Sequence, residues 1–399
     1  MTDTTCDILI SGGGIAGLTA AAAFGTAGFH VICVDPAPPV TDSAAAGSDM
    51  RSTAMLQPAR TLLEAAGLWD RLAPHAAPLQ IMRIVDAGGP DGTARLTKDF
   101  NASDVSELPF GWNIPNWLLR REMVARLGEL ACVDFRPGTG TRDLFTREAG
   151  ARVTLTDGSR VQTRLVIAAD GRASPMREAA GIHVTTKRYG QKALAFSVTH
   201  PLPHNNISTE IHRSGGPFTL VPLPDHDGLP CSAVVWMDDG PLSNSRVDMD
   251  VDAFERDMTE RSCHLLGPLK LASRRTIWPI ISQHAQRLTA ERVALIAEAA
   301  HVLPPIGAQG LNMSLADTRT LLDLAQANPD DLGNTRMLDA YHKARFADIR
   351  LRVRGIDLLN RASQASHPAL RDARALGLTG LFAMTPLRHT LMQMGLGVR

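Results

Sequence analysis

Hydrophobic and polar positions alternate along this chain in two rhythms, and the order of those rhythms predicts its architecture. Cys6–Ser11 is a short apolar run ending in glycines, Ile15–Gly28 has small and apolar residues at helical spacing, and His30–Val34 is apolar again. That succession predicts strand, helix and parallel strand. Met55–Trp69 is expected to be a helix stopped at Gly67, Ile81–Leu96 a hairpin broken at Gly88–Gly92, and Arg120–Leu130 an amphipathic helix. Arg152–Leu155 and Arg160–Ala169 flank an Asp157-Gly158 turn, a hairpin signal. Lys192–Thr199, Phe218–Pro222 and Ser232–Met237 carry the pattern of a mostly antiparallel sheet, with a helix over Met249–His264 beside it. A buried strand at Arg292–Ile296 and a helix at Asn312–Ala325 follow, and the chain from Thr335 onward is helical in pattern.

The simplest arrangement is an α/β fold whose first unit is interrupted in sequence and continuous in space. Its segments are 1–75, 105–185 and 275–330; a sheet-rich second unit takes 76–104 and 186–274, and a helical region takes 331–399.

Composition narrows the function classes. Hydrophobic residues make up 44% of the 399, enough for a large core. Lys+Arg and Asp+Glu balance at 41 each, so no general attraction draws the chain to nucleic acid. Five scattered cysteines, Cys6, Cys33, Cys132, Cys231 and Cys263, have no metal-pair spacing and are read as reduced thiols; no metal is expected. With no apolar signal segment before the first strand and no membrane-spanning run, the expected location is cytoplasmic, peripheral at most to the inner membrane.

Three motifs carry chemistry. Gly12-Gly13-Gly14-Ile15-Ala16-Gly17 is G-x-G-x-x-G between a strand and a helix, with Asp35 closing the next strand. Gly12 permits the tight turn, Gly14 lets backbone approach a diphosphate, and Gly17 lets the helix pack close. Ile15 and Ala16 open a helix whose N-terminus favours negative charge, while the Asp35 carboxylate suits ribose hydroxyls. Glycines alone are often only a turn; the strand, the helix and the acidic residue together point to a dinucleotide.

The second motif follows the unbroken apolar run Leu165–Ala169 and reads Asp170-Gly171-Arg172-Ala173-Ser174-Pro175-Met176-Arg177, which is equally a capped helix start. The third runs from Ala297-Glu298-Ala299-Ala300-His301 to Gly307-Ala308-Gln309-Gly310-Leu311-Asn312.

With all three motifs in order, the sequence resembles the aromatic-ring flavoprotein monooxygenases, and among them the FAD-dependent hydroxylases of ubiquinone biosynthesis (UbiH/UbiF type). The resemblance covers nearly the whole chain and includes Asp49-Met50-Arg51, Tyr189–Ala193, Gly216–Leu223 and Pro386–Gly395. It implies a Rossmann-type FAD-binding domain interrupted by a mostly antiparallel substrate domain, with C-terminal helices. It implies FAD held by Gly12, Gly14, Gly17 and Asp35 on the ADP half, with Arg51 near the flavin and Arg121 at the diphosphate. It further implies Asp170 in the FAD segment, Glu298 at the diphosphate and ribityl chain, and Gly310, Leu311 and Asn312 at the flavin pyrimidine, where a helix start stabilises the anionic reduced ring. NAD(P)H or a protein donor would reduce the flavin, and a flavin hydroperoxide would hydroxylate a polyprenylated phenol.

Two departures stand out: Ala297-Glu298 where the family has Gly-Asp, and Ala308 where it has Gly. Three further readings differ in class. One keeps the flavin and acts on another aromatic or lipid metabolite, as a monooxygenase or reductase. One is a halogenase, against which the incomplete Trp112-Asn113-Ile114-Pro115 signature argues. One is a non-catalytic flavin-fold subunit of a biosynthetic complex, prompted by Ala297, Glu298 and Ala308. No catalytic side chain is assigned; His301, after two alanines, is read as ordering its loop rather than as a base. Phe218, Leu220, Val221 and Pro222 are candidates for pocket or core. Leu376–Val398 suits a membrane surface, a partner, a homodimer contact or packing on the domain.

Overall fold

The computed structural model describes residues 3–88, 93–364, 380, 382 and 384–396. Its frame is a parallel sheet in which Val293–Leu295, Arg160–Ala168, Asp3–Ser11, Val31–Asp35 and Val133–Pro137 lie side by side in that order. The central strands are buried on both faces, as Ile8, Leu9, Ile10, Val166 and Ile167 show by having no exposure. That is why they read as continuous apolar runs. Helix Ile15–Thr26 covers one face with eleven buried residues, most of them small. Its apolar character all round explains the missing polar stripe.

A nine-stranded sheet forms the second layer. Val184–Thr199 pairs antiparallel with Leu229–Asp239, which pairs with Pro217–His226 and then Ile207–His212. Ile81–Asp86 joins parallel to Ile207–His212 and forms the expected hairpin with Leu96–Asn101; part of its turn lies outside the described residues. A three-stranded sheet of Ser52–Leu56, Gly111–Pro115 and Ala77–Leu79 sits between the layers.

Several expectations need correction. Met55 belongs to a strand, and the helix begins only at Gln57, where Pro58 presets the first turn. Thr276–Ala285 is a ten-residue strand of the large sheet, so that sheet runs on to residue 285 rather than ending at 274. Val133–Pro137, Thr141–Arg147 and Ile207–His212 are strands that the pattern did not reveal. All three are rich in polar or charged residues, and their partners rather than their periodicity fix them.

Among the described residues beyond 331, the helices are Thr335–Gln364 and Thr385–Leu396, and most of the segment 365–383 lies outside the described residues. Among the described residues, no helix is long and apolar enough to cross a membrane. The cysteines are free thiols, and burial pushes the Cys6 thiol up to about 11.

Candidate functional site

The three motifs meet at the carboxyl edge of the parallel sheet because their strands are neighbours. Ala169 N–H donates to Ser11 O at 2.7 Å and Ile296 N–H to Ala168 O at 3.0 Å, so three loops leave the sheet together. Side chains bind them further. Ser11 Oγ donates to Asp170 Oδ2 at 3.3 Å. Buried Arg177 donates to Ala299 O at 3.1 Å and to Arg172 O at 2.9 Å, and Arg172 pairs with Glu298 at 3.4 Å. Arg177 is therefore a clamp between the second and third loops. Ser174 caps the short helix after Asp170, accepting from Arg177 N–H at 3.0 Å.

The glycine loop divides by role. Gly12 has φ +112°, and a Cβ there would lie 2.3 Å from Ala169 O; a Cβ on Gly17 would lie 1.9 Å from Gly12 O. Both must stay bare for the fold itself. A Cβ on Gly14 meets nothing within 4 Å, so the space in front of it is open. Ile15 and Ala16 begin the helix there, and its N-terminus has no side-chain cap. Asp35 turns back on this loop, accepting from Gly13 N–H at 2.5 Å and Ala37 N–H at 2.8 Å.

A second uncapped helix N-terminus faces the third loop. Helix Gln309–Ala327 starts after Ala308, which has the left-handed conformation φ +54°, ψ +24°. First-turn geometry leaves the N–H groups of Gly310 and Leu311 without partners inside the helix, and a Cβ on Gly310 would meet nothing within 4 Å. The Asn312 side chain is already committed: it donates to Ala54 O and Ala308 O at 2.7 Å each and accepts from Leu56 N–H at 2.9 Å. It ties the helix to strand Ser52–Leu56. Ala297 is also left-handed, at φ +56°. Both alanines thus stand where the backbone favours glycine. Ala308→Gly is expected to raise the unfolding midpoint, with a net gain of up to about 1 kcal/mol after glycine's extra unfolded-state entropy. Calorimetry decides it; a lowered midpoint would mean that the lost methyl packing outweighs the strain.

The arginines sort differently from expectation. Arg51 forms a bidentate pair with Asp49, 2.7 Å on each arm, and lies 5.3 Å over the Trp278 ring. Asn116 at 3.0 Å and Arg120 at 3.4 Å complete the ring of donors on Asp49. Burial works against the Asp49 charge, but these donors outweigh it and hold its carboxyl below the usual range. Arg121, expected at the diphosphate, instead pairs with Glu122 at 2.9 Å and stacks on Trp117. One residue along a helix turns the side chain by about 100°, and its neighbour Arg120 is the one that reaches Asp49 beside Arg51.

His301 is structural here. Fully buried, it bonds through Nε2 to Asp317 at 2.7 Å, and Asp317 also accepts from Arg345 at 2.8 Å.

The sheet's two faces separate core from pocket wall. Phe218 and Leu220 pack with Phe196, Trp236 and Phe254 under helix Val251–Arg261, so they are core and not pocket liners. Val221, one residue on, points the opposite way and packs in a cluster with Ala54 and Ala308. Pro222 is buried, and its carbonyl accepts from Asn113 at 2.9 Å. Val235 and Trp278 line the same face near Ile306 and Leu303.

These residues fit FAD on the chain's own geometry. Two uncapped helix N-termini open onto free space at Gly14 and Gly310. Asp170 Oδ1 is buried with no partner among the described residues, a vacant acceptor that a ligand hydroxyl would satisfy. A model of the FAD binding domain matches residues 5–354. The chain belongs to this family of FAD-dependent monooxygenases. It is similar to the ubiquinone hydroxylase UbiL of Rhodospirillum rubrum, with 31% identity covering 99% of this chain and 90% of that protein. The 3-demethoxyubiquinol 3-hydroxylase of Escherichia coli is 25% identical over the whole of both chains. Among solved structures, p-nitrophenol 4-monooxygenase PnpA from Pseudomonas putida shares the fold at TM-score 0.80 over all of both chains, with 19% identity.

Burial pushes the Asp170 carboxyl up, against bonds from Ser174, Met176 and Ser11 that favour its charge. A hydroxyl donated to Oδ1 would stabilise the ionised form, so FAD binding should release a proton. FAD affinity is therefore expected to rise with pH just above the ordinary carboxylate range, by up to about tenfold per pH unit. Asp170→Asn should flatten that dependence; equal slopes in fluorescence titrations of both proteins would rule the linkage out.

Proposed function

We propose that this chain hydroxylates the ring of a polyprenylated phenol in ubiquinone biosynthesis, with FAD as cofactor and NAD(P)H as electron donor. The observation that carries this reading is the meeting of an apolar sheet face, at Val221, Val235 and Trp278, with the open N-terminus of helix Gln309–Ala327. The relatives, a ubiquinone hydroxylase and a 3-demethoxyubiquinol 3-hydroxylase, support the substrate class.

In this reading Gly12, Gly14 and the start of helix Ile15–Thr26 hold the diphosphate, with Asp35 swinging from Gly13 N–H to the ribose. Arg51 and Arg120 lie beside it, oriented by Asp49. Gly310 and Leu311 offer N–H groups to the flavin pyrimidine, where the helix dipole favours negative charge. Bound FAD supplies the two-electron and oxygen chemistry that side chains lack. The apolar wall excludes water and positions the ring, and a phenolic hydroxyl activates that ring by itself.

A prenylated substrate calls for access to lipid. Leu351, Leu358 and Leu359 are 61%, 70% and 56% exposed on helix Thr335–Gln364, with Arg354 among them, which supports peripheral contact with an anionic membrane. Failure to sediment with phosphatidylglycerol vesicles would remove that part of the reading.

The test of the whole is deletion of the gene followed by mass spectrometry of quinone precursors. Accumulation of a precursor short of one ring hydroxyl is expected; an unchanged quinone pool would sink the assignment.

A further inference from the structure

The cluster containing Ala308 has a member from a distant part of the chain. Met392, on helix Thr385–Leu396, is 8% exposed and shares one apolar cluster with Ala54, Leu79, Ala102 and Phe110, with Val221 and Ala308 packed against it. These residues come from all the surroundings of the flavin-side helix start: Ala54 from the three-stranded sheet, Val221 from the large sheet, and Ala308 from the N-terminus itself. Met392 lies far beyond the last FAD motif in sequence, yet it belongs to the cluster against which Val221 and Ala308 pack.

The helix is fastened from one side. Phe382 meets Phe100 edge-on with centroids 5.7 Å apart, and sits between Lys98 Nζ at 4.6 Å and the Arg388 guanidinium at 4.8 Å. Arg388 donates to Phe382 O at 3.2 Å and approaches Asp104 at 3.8 Å. The fastening is thus to the hairpin Ile81–Asn101 and the turn after it, the outer edge of the large sheet.

We infer that Met392 is a specificity-determining residue, the movable wall that limits which ring substituents fit beside the flavin. The inference rests on the aromatic-substrate reading above. Three properties support it. Val221 and Ala308 fix the cluster at the place where the sheet face meets the flavin-side helix. Methionine, unbranched and polarizable, adapts its shape to a partner. And the wall is carried by a segment held to the hairpin through one edge-on aromatic pair, one cation–π contact and a long ion pair, each weak, so it can yield without disturbing the FAD loops.

The experiment uses the FAD-loaded protein without reductant, reading the shift of the flavin absorption band on titration with phenol, 3-methylphenol and 3-tert-butylphenol. Met392→Ala should tighten binding of the tert-butyl compound relative to phenol by about fourfold or more, the value of one buried methylene or better. Met392→Trp should change the same ratio in the opposite direction. Wild-type binding with variants that keep the wild-type ratio would overturn the role of Met392 alone. If the wild-type band responds to none of the three, the aromatic-substrate reading falls and the inference with it.

Discussion

Gly14→Ala is expected to leave the apoprotein as stable as the parent and yet to weaken FAD binding by at least about 100-fold, close to 2.7 kcal/mol. The substitution is harmless to the fold because Gly14 has φ −70° and ψ 174°, ordinary extended backbone, and its added Cβ meets no atom within 4 Å. The same empty space is where a diphosphate would press against the backbone, so the methyl would stand in the ligand's place. Gly17→Ala makes the contrast. Its Cβ would fall 1.9 Å from Gly12 O, which is backbone and has nowhere to go. That variant should lose on the order of 3 kcal/mol or more of apoprotein stability, through overpacking at the helix–strand contact. Thermal unfolding of both apoproteins, with flavin-fluorescence titrations, separates the two roles. A Gly14→Ala protein that binds FAD like the parent would show that this loop is not the cradle.

Asp317→Ala should be among the most damaging single changes in the protein. Asp317 has no exposure, and it is shared by His301 Nε2 at 2.7 Å and Arg345 Nε at 2.8 Å. Removing it leaves a buried guanidinium with only Asp348 and the Met313 carbonyl as partners among the described residues. Breaking a buried pair in this way costs about 3–5 kcal/mol. The loss should fall on function too, because Asp317 sits on helix Gln309–Ala327, whose start is proposed to meet the flavin, while His301 closes the Ala297–Ala300 turn. His301→Asn should cost less and leave the pH profile of turnover per folded molecule unaltered. Urea unfolding gives the first result; a displaced pH optimum in His301→Asn would reinstate the histidine as a proton carrier.

The sequence by itself determined four of the five parallel strands, the three loops and their order, because those features are local. A strand buried on both faces must be apolar throughout, as Leu165–Ala168 is, and a glycine at a 1.9 Å approach admits no other residue. It also marked Ala297 and Ala308 as anomalous, and both prove to be left-handed.

Only the tertiary structure decided what depends on direction and on distant neighbours. That Arg120 reaches Asp49 while Arg121 pairs with Glu122 turns on helix phase, which adjacent identical residues do not reveal. Phe218 and Val221 look alike as apolar strand residues, and the pleat alone sends them to opposite faces. The strand Val133–Pro137 is held by pairing with Val31–Asp35, not by its own pattern. Met392 joins the apolar cluster against which Ala308, more than eighty residues earlier, packs, an association that no spacing encodes, because packing between separated segments is set by the whole chain's shape.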